Sequence, residues 1–320
     1  MGEQPAVAVV DLRGTAEPRA ADRAGREIAA ACRELGTFHV VGHGIAPVLI
    51  EQVRTVSGAF FDRPDADKAR YASPSGNSFR GWAPTEVDGP EGPVRIHEQF
   101  QVSRFDRPQD LRAAGYSARW ANRAEANRWP RTPPEFEATW KRYFAAMERL
   151  GRHLLGLAAR GLGLSPDWFG HAFRRPASYL ACNRYEARSS DAVGELALEP
   201  HTDIGTLTVL HHDDGPGRLQ IRDREGRWRD VAARPGALVV NVGDLLAMWT
   251  DQRWVATEHR VTSPPPGDRR RRTSIAYFQN PDLDATIDCI PTCAPPRTPR
   301  PAPVVAGEWA RRRMEAYQRS

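Results

Sequence analysis

The stretch EPHTDIGTLTVL, residues 199–210, decides how the chain is read. Thr206, Leu207, Thr208, Val209 and Leu210 are β-branched or apolar, the texture of a buried strand. His201 and Asp203 stand at the entrance of that strand, two residues apart. Strand side chains alternate faces, so this pair would point the same way. An imidazole and a carboxylate on one face can be an ion pair, a solvated edge, or two thirds of a metal site.

The surroundings are β-rich. Short segments at 178–185, 204–212, 218–222, 237–242, 254–262 and 272–278 are separated by Gly, Pro and Asp. Many short strands with turn signals predict a sandwich or a closed double sheet such as a jelly roll. Two further pairs share the two-residue spacing: Asn183 with Tyr185 in LACNRYE, and Arg272 with Ser274 in RTSIAYF. All three pairs could face the inside of one barrel. A third metal ligand should come from a neighbouring strand, and His259 in VATEHRVTSP, 56 residues after Asp203, is the best candidate. Two imidazoles and a carboxylate on one side of an ion form the facial triad of non-haem Fe(II) oxygenases, with positions left open for a bidentate co-substrate and dioxygen. Arg272 could then anchor the far carboxylate of that co-substrate through two parallel hydrogen bonds, with the Ser274 hydroxyl beside it.

Upstream, VAVVDL (7–12) reads as a strand, residues 20–35 as an amphipathic helix with Ala24, Ile28, Cys32 and Leu35 on one stripe, and Gly36 as its stop. Residues 37–41 read as a strand and 47–61 as a second helix. The Pro-, Gly- and Ser-rich residues 73–93 read as a loop, and 94–102 as a strand. Phe136, Trp140, Phe144, Met147, Leu150, Leu154 and Leu157 mark the longest helix, from Pro134 to about Leu162, as core packing. GEWARRRMEAYQ reads as a last helix. The expected fold class is therefore a mostly β core with helical support, a double-stranded β-helix (jelly roll) carrying an α-rich N-terminal module. The expected division is residues 1–110 as that module, 111–175 as a helical connector, 176–281 as the jelly-roll core and 282–320 as a C-terminal loop and helix.

Composition excludes several classes. The 320 residues are 40% hydrophobic, enough for a real core, and contain no apolar run of membrane length. MGEQPAVAVVDLRG lacks the basic-then-apolar pattern of a secretory signal, and Ala6 breaks the myristoylation pattern, so a cytoplasmic protein is expected. Cys32, Cys182, Cys289 and Cys293 imply no disulfide framework and read as reduced thiols. The formal charge is +5, and all 45 basic residues except Lys68 and Lys141 are arginine. The run Arg269 to Arg272 is set against 40 acidic residues and no aromatic-studded basic face, so its first three members read as a solvated turn, not a nucleic-acid site. His211-His212-Asp213-Asp214 reads as a surface hairpin. His43 reads as a local structural histidine, and His97, His153 and His171 carry no ligand role.

Taken together these motifs resemble the iron(II)- and 2-oxoglutarate-dependent dioxygenases of the isopenicillin N synthase-like group. The resemblance runs from VAVVDL and ACRELGTFHVVGHGI through NRWP (127–130), CNRY, PHTDIGTLTVL, RLQI, RPGALVVNVGDLL and EHRVTSP to RTSIAYFQNP, in order. It implies a jelly-roll core with Fe(II) on His201, Asp203 and His259, Arg272 and Ser274 on the C5 carboxylate of 2-oxoglutarate, and Asn183 and Tyr185 at its chelating end. It implies that decarboxylation to succinate is coupled to oxidation of an unactivated C–H bond by dioxygen, giving hydroxylation or alternatively desaturation, cyclisation or epoxidation. It places Phe278 on the substrate side, with the loop Asn77 to Trp82, including Phe79, Arg80 and Trp82, and the strand from Arg95 to Phe100 bordering a small-molecule substrate. Departures are Glu186 where the family has Pro, His211 or His212 where it often has Gln, and Gly217-Arg218-Leu219-Gln220 where it tends to have Gly-Gly-Leu-Gln. An Arg-rich, Lys-poor chain fits a GC-rich bacterial source and, by association, natural-product tailoring. The rivals are an iron-dependent oxidase of this fold that does not use 2-oxoglutarate, and a non-catalytic β-barrel binding protein. The oligomeric state is not readable.

Overall fold

The apolar stripes become helices at nearly the positions their periodicity predicts. A computed structural model describes residues 7–76, 79–89, 92–187, 195–215, 217–265, 267–294 and 302–317. The strands run in chain order β1 (Ala8–Asp11), β2 (Thr37–Val41), β3 (Gly81–Gly89), β4 (Gly92–Ser103), β5 (Tyr179–Tyr185), β6 (Leu196–His201), β7 (Leu207–His212), β8 (Leu219–Arg222), β9 (Trp228–Asp230), β10 (Ala237–Val242), β11 (His259–Thr262) and β12 (Arg272–Gln279). The helices are α1 (Pro18–Glu34), α2 (Pro47–Phe61), α3 (Asp65–Lys68), α4 (Pro108–Ala113), α5 (Ala118–Ala121), α6 (Phe136–Gly161), α7 (Asp244–Trp249) and α8 (Ala306–Tyr317).

Two sheets form the jelly roll. The larger has the order β1-β2-β10-β7-β12-β5-β4-β3, and the smaller β6-β11-β8-β9. Between them lies an apolar layer of Leu210, Leu219, Ile221, Val231, Val239 and Ala276, with Phe278 packed against it. The outer face of the large sheet carries the main core, where α6 is laid along it. Phe100, Phe136 and Trp140 meet there at ring distances of 5.1–5.2 Å, and the Trp140 indole donates to Ser57 Oγ at 3.1 Å. Helices α1 and α6 cross closely because both carry glycine at the contact. A Cβ on Gly161 would lie 2.2 Å from the Gly25 carbonyl oxygen. Gly36 ends α1 in the left-handed region, φ +64°, where a Cβ would strike the Val255 carbonyl at 1.9 Å.

The N-terminal half keeps its expected helices and contributes more strand than its sequence suggests. It supplies β1–β4, half of the large sheet. Residues 81–89, expected as part of a loop, pair with β4 from Gly81↔Gln101 to Gly89↔Gly92. The turn formers Gly81, Pro84 and Gly89 hide that strand, and pairing with a long partner overrides their local preference. Strand β6 also escapes the sequence pattern. The sequence LALEP has no β-branched residue, and antiparallel pairing with β11 makes it a strand. In the segment read as a strand over 254–262, only His259–Thr262 is one.

One polar cluster is buried against the outer face. Glu98, with no exposed surface, takes the Lys68 ammonium at 2.7 Å, the Trp82 indole N–H at 2.6 Å and the Arg184 guanidinium at 2.6 Å. Glu186, a departure from the family pattern, closes the rim of this cluster by accepting from Arg184 and Arg271 at 3.0 and 2.9 Å. Replacing Glu98 with alanine leaves the Trp82 indole without its acceptor and Lys68 and Arg184 with only the more exposed Asp65, Asp62 and Glu186, so a loss of about 3 kcal/mol is expected in urea denaturation. A variant within about 0.5 kcal/mol of wild type would show that the cluster is not needed for stability. Cys293 lies in the main core and Cys289 packs against it.

Candidate active site

His201 and His259 are brought together by strand register. His201 ends β6, His259 begins β11, and the two are direct cross-strand partners. Their rings lie 4.2 Å apart, centroid to centroid. Asp203 reaches the same spot from the turn after β6, not from the entrance of the following strand, which starts at Leu207. The strand-alternation reading expects these residues together, and they do come together for a different reason: β6 ends at His201, and the next residues turn the chain. That turn is pinned through its backbone by the start of α7. The Asp244 N–H donates to the Asp203 carbonyl at 2.7 Å, Leu245 to Gly205 at 2.9 Å, and Gly243 to Thr206 at 2.8 Å. Gly243 is required there, because a Cβ would lie 2.4 Å from the Gly205 carbonyl oxygen.

His201, Asp203 and His259 offer ligand atoms that all lie within 4.8 Å of one another. Each imidazole is oriented by its Nδ1–H, which donates to a backbone carbonyl: Glu199 for His201 at 2.8 Å and Thr257 for His259 at 3.1 Å. A carbonyl can only accept, so the lone pair of each ring is on Nε2. Burial, and then the neighbouring His259, push the His201 imidazole down to about 4, so it is neutral at pH 7. Asp203 is 6% exposed, and its Oδ2 has no hydrogen-bond partner. Two imidazoles and an unsatisfied buried carboxylate oxygen on one side of a small space fit an Fe(II) ion.

A second group stands on the inner face of the large sheet. Arg272 is the cross-strand partner of Tyr185, and Ser274 that of Asn183, so all four converge. Tyr185, Arg272 and Ser274 are 3%, 2% and 3% exposed. The guanidinium lies over the Tyr185 ring at 5.2 Å, and that ring stacks on His97 at 5.6 Å. Arg272 Nη1 is enclosed without a hydrogen-bond partner. A guanidinium taken out of water without a carboxylate is poorly satisfied, and the free acid end of 2-oxoglutarate fits the deficit.

His212 corrects one sequence reading and supplies a residue that reading misses. His211 and His212 are half-buried members of β7, not a surface hairpin, and His212 lies directly opposite Ser274. Its Nε2 is enclosed without a partner on the Arg272 side of the sheet. The signal in the sequence is strand parity, since His212 shares a face with Thr208 and Leu210.

A cavity of about 810 Å³ adjoins the metal turn. Tyr179 and Leu245 line it on the core side, Phe105, Leu111 and Trp120 on the flank, and Met314 from α8 above. Helix α8 is tied to the metal turn by Arg313, which donates to Thr202 Oγ1 and pairs with Asp244, both at 3.1 Å. Phe79 and Arg80 line the cavity. Phe278 stacks behind Tyr179 at 4.6 Å. Trp82 and Arg95 are elsewhere. They sit with Glu98 on the opposite face of β3–β4, where Arg95 pairs with Asp65 and Glu86 and covers the Trp82 ring. Asn77 and Ser78 lie outside the described residues.

Burial holds three histidines uncharged. His97, His211 and His212 are each pushed down to about 4, by burial first in every case, with Arg54 next for His211 and Arg272 for His212. In the unfolded chain they titrate near 6.5. The unfolded state therefore binds more protons between those values, so the stability these groups contribute is complete above about pH 6.5 and is lost as the pH falls toward 4. His97 alone contributes a slope on the order of 1.4 kcal/mol per pH unit in that window. Urea midpoints should fall from pH 7 to pH 5, and His97→Gln should flatten the fall. A midpoint independent of pH would contradict the buried neutral state.

Comparison with known proteins agrees with this geometry. The family model described as the 2OG-Fe(II) oxygenase superfamily matches residues 176–281, and that of the non-haem dioxygenase N-terminal region matches residues 7–132. The chain is 32% identical to the validamycin A dioxygenase of Streptomyces hygroscopicus subsp. limoneus over 90% of its own length and 80% of that protein's. It is 30% identical to a homoarginine-6-hydroxylase of Oryza sativa subsp. japonica, over 82% and 79% of the two chains. A full-length Neurospora crassa protein solved in complex with alpha-KG superposes with a TM-score of 0.83 at 25% identity, covering 98% of each chain. The dioxygenase for auxin oxidation of rice gives 0.71 at 29%, covering 97% and 96%. Among the described residues no helix is long and apolar enough to cross a membrane. The chain belongs to the 2OG-Fe(II) oxygenase superfamily, as a dioxygenase that uses Fe(II), 2-oxoglutarate and O2.

Proposed function

We propose that His201, Asp203 and His259 hold the iron, that Arg272 and Ser274 hold the distal carboxylate of 2-oxoglutarate with Asn183 and Tyr185 toward its chelating end, and that a small molecule in the cavity beneath α8 is hydroxylated at an unactivated C–H bond. The observation that carries this reading is the pairing of two unmet needs. Asp203 Oδ2 lacks a partner at the triad, and Arg272 Nη1 lacks one on the inner sheet face. Held there, iron and 2-oxoglutarate would activate dioxygen, with one oxygen atom going to the substrate C–H bond, the other to succinate, and carbon dioxide released.

The chain's own part is to position and to enclose. The Nδ1 bonds to Glu199 and Thr257 keep both imidazoles aimed, and the backbone clamp from α7 fixes the Asp203 turn. Arg272 and Ser274 set the orientation of the co-substrate by holding the end remote from the metal. The apolar flank of the cavity keeps water from the reacting carbon. Relatives named for validamycin A and homoarginine support a small-molecule substrate and favour hydroxylation over desaturation or cyclisation. We read no nucleic-acid partner, because Arg270 and Arg271 of the basic run are already paired with Asp268, Glu186 and Asp62.

Anaerobic titration of the metal-free protein, Fe(II) first and 2-oxoglutarate second, tests the assignment. A weak visible charge-transfer band is expected on the second addition, together with succinate release once air and a substrate are admitted. The band should be missing in His201→Ala. An undiminished band in that variant would remove His201 from the metal site.

A further inference from the structure

Arg80 is a cation with almost nothing to bind. A guanidinium carries five N–H donors. Arg80 places Nη1 at 3.5 Å from Asn127 Oδ1, an oxygen that already accepts the Ser103 N–H at 2.9 Å. Its Nε is enclosed with no partner. Glu125 is the carboxylate whose field reaches it, but the oxygens of Glu125 accept the hydroxyls of Ser73 and Ser75. Burial lowers the basicity of Arg80, which marks a guanidinium held partly out of water. Other buried arginines are not left this way. Arg184 meets Asp62, Glu98 and Glu186, and Arg229 meets Asp223. Arg272 is the other buried guanidinium without a carboxylate in these surroundings, and it stands where the co-substrate's acid group belongs.

The cavity around Arg80 has a matching character. Its wall is apolar and aromatic along Phe79, Phe105, Leu111, Trp120, Leu283 and Met314. Of the other charged residues at its edge, Arg311 is neutralised by Glu308 and Glu315, while Arg123 is exposed. The unspent charge in the cavity is therefore positive. Tyr179 lines the same cavity, and the charges of both Asp203 and Arg80 act on its phenol.

We propose that the substrate is a small organic acid with a largely apolar body, and that Arg80 binds its carboxylate. The body lies along Phe105, Leu111 and Trp120 and passes Tyr179 toward the triad. The carbon oxidised is then set by its reach from the carboxylate. This rests on the assignment of His201, Asp203 and His259 to iron. A carboxylate suits Arg80 because a bidentate pair satisfies donors that water reaches poorly.

The test uses the full chain with Fe(II) and 2-oxoglutarate under argon, and matched acid and amide pairs as probes: phenylacetate, 3-phenylpropionate and indole-3-propionate, each against its primary amide. Quenching of tryptophan fluorescence, with Trp120 in the wall, and calorimetry read binding. At least one acid should bind tenfold or more tighter than its amide. Arg80→Gln should erase that preference, and Arg80→Lys should keep part of it. Arg123→Gln at the rim should leave it standing. If no acid outbinds its amide, or if Arg80→Gln keeps the preference, the proposal is overturned. The charge-transfer band is recorded in the same samples. A missing band in wild type indicts the iron assignment, and the acid preference is scored regardless of it.

Discussion

Asp203→Ala is expected to abolish turnover, by a thousandfold or more, while the protein stays folded. Loss of outer contacts to a metal ligand already costs about 10–100-fold, and Asp203 is the single anionic donor of its group. Without it only two imidazoles remain, a pair that holds Fe(II) weakly. The fold should survive because nothing structural rests on the carboxylate. The turn is held by the carbonyls of Asp203, Gly205 and Thr206, and Asp203 Oδ2 is already without a hydrogen-bond partner. Removing a buried, poorly satisfied anion should leave the metal-free melting temperature equal or slightly raised. Three measurements decide: iron retained after desalting, succinate formed, and thermal melting followed by circular dichroism. A variant that keeps iron and turns over at the wild-type rate would dismiss the triad.

Arg272→Ala should act on the co-substrate alone. Truncating one partner of a buried charge pair typically costs 2–5 kcal/mol, roughly a 30- to 5,000-fold rise in the 2-oxoglutarate dissociation constant. The sign on stability is the sharper diagnostic. In the absence of co-substrate the wild-type chain holds a guanidinium with no carboxylate partner and with Nη1 unpaired at 2% exposure, so the alanine variant should melt little or no lower than wild type. Wild type should gain stability when 2-oxoglutarate is added, and the variant should not. Arg272→Lys keeps the charge and loses the two-pronged geometry, so it should fall between them. An unchanged dissociation constant in Arg272→Ala would place the distal carboxylate elsewhere.

The pattern of hits and misses in the sequence follows from what each feature depends on. Helix α6 is readable to within two residues of its ends because its stripe is local and repeats many times. The convergence of His201, Asp203 and His259 is readable because HTD and EHRV are compact and chemically unusual. Pairing with distant partners is not readable. Strand β6 exists because β11 lies beside it, and β3 because β4 does. His212 resembles a surface turn because Asp213, Asp214 and Gly215 follow it, and its position opposite Ser274 depends on the register of β7 against β12. Trp82 and Arg95 are drawn to the substrate side by their place in the chain; pairing with Phe100 puts Trp82 on the other face with the buried Glu98 cluster, and the register shift between Thr85 and Glu86 brings Arg95 over its ring.

The clamp from Arg313 on α8 to Thr202 and Asp244 has a consequence for how such a protein changes over time. The iron donors are framed by β6, β11 and the start of α7, whereas much of the cavity wall comes from Ser75, Gly76, Phe79 and Arg80, from α4–α5 and from α8. Mutations that reshape the wall thus fall mostly on segments added outside the barrel, where they can alter which molecule is admitted without disturbing the reaction. Chemistry and appetite are inherited separately, joined at one arginine.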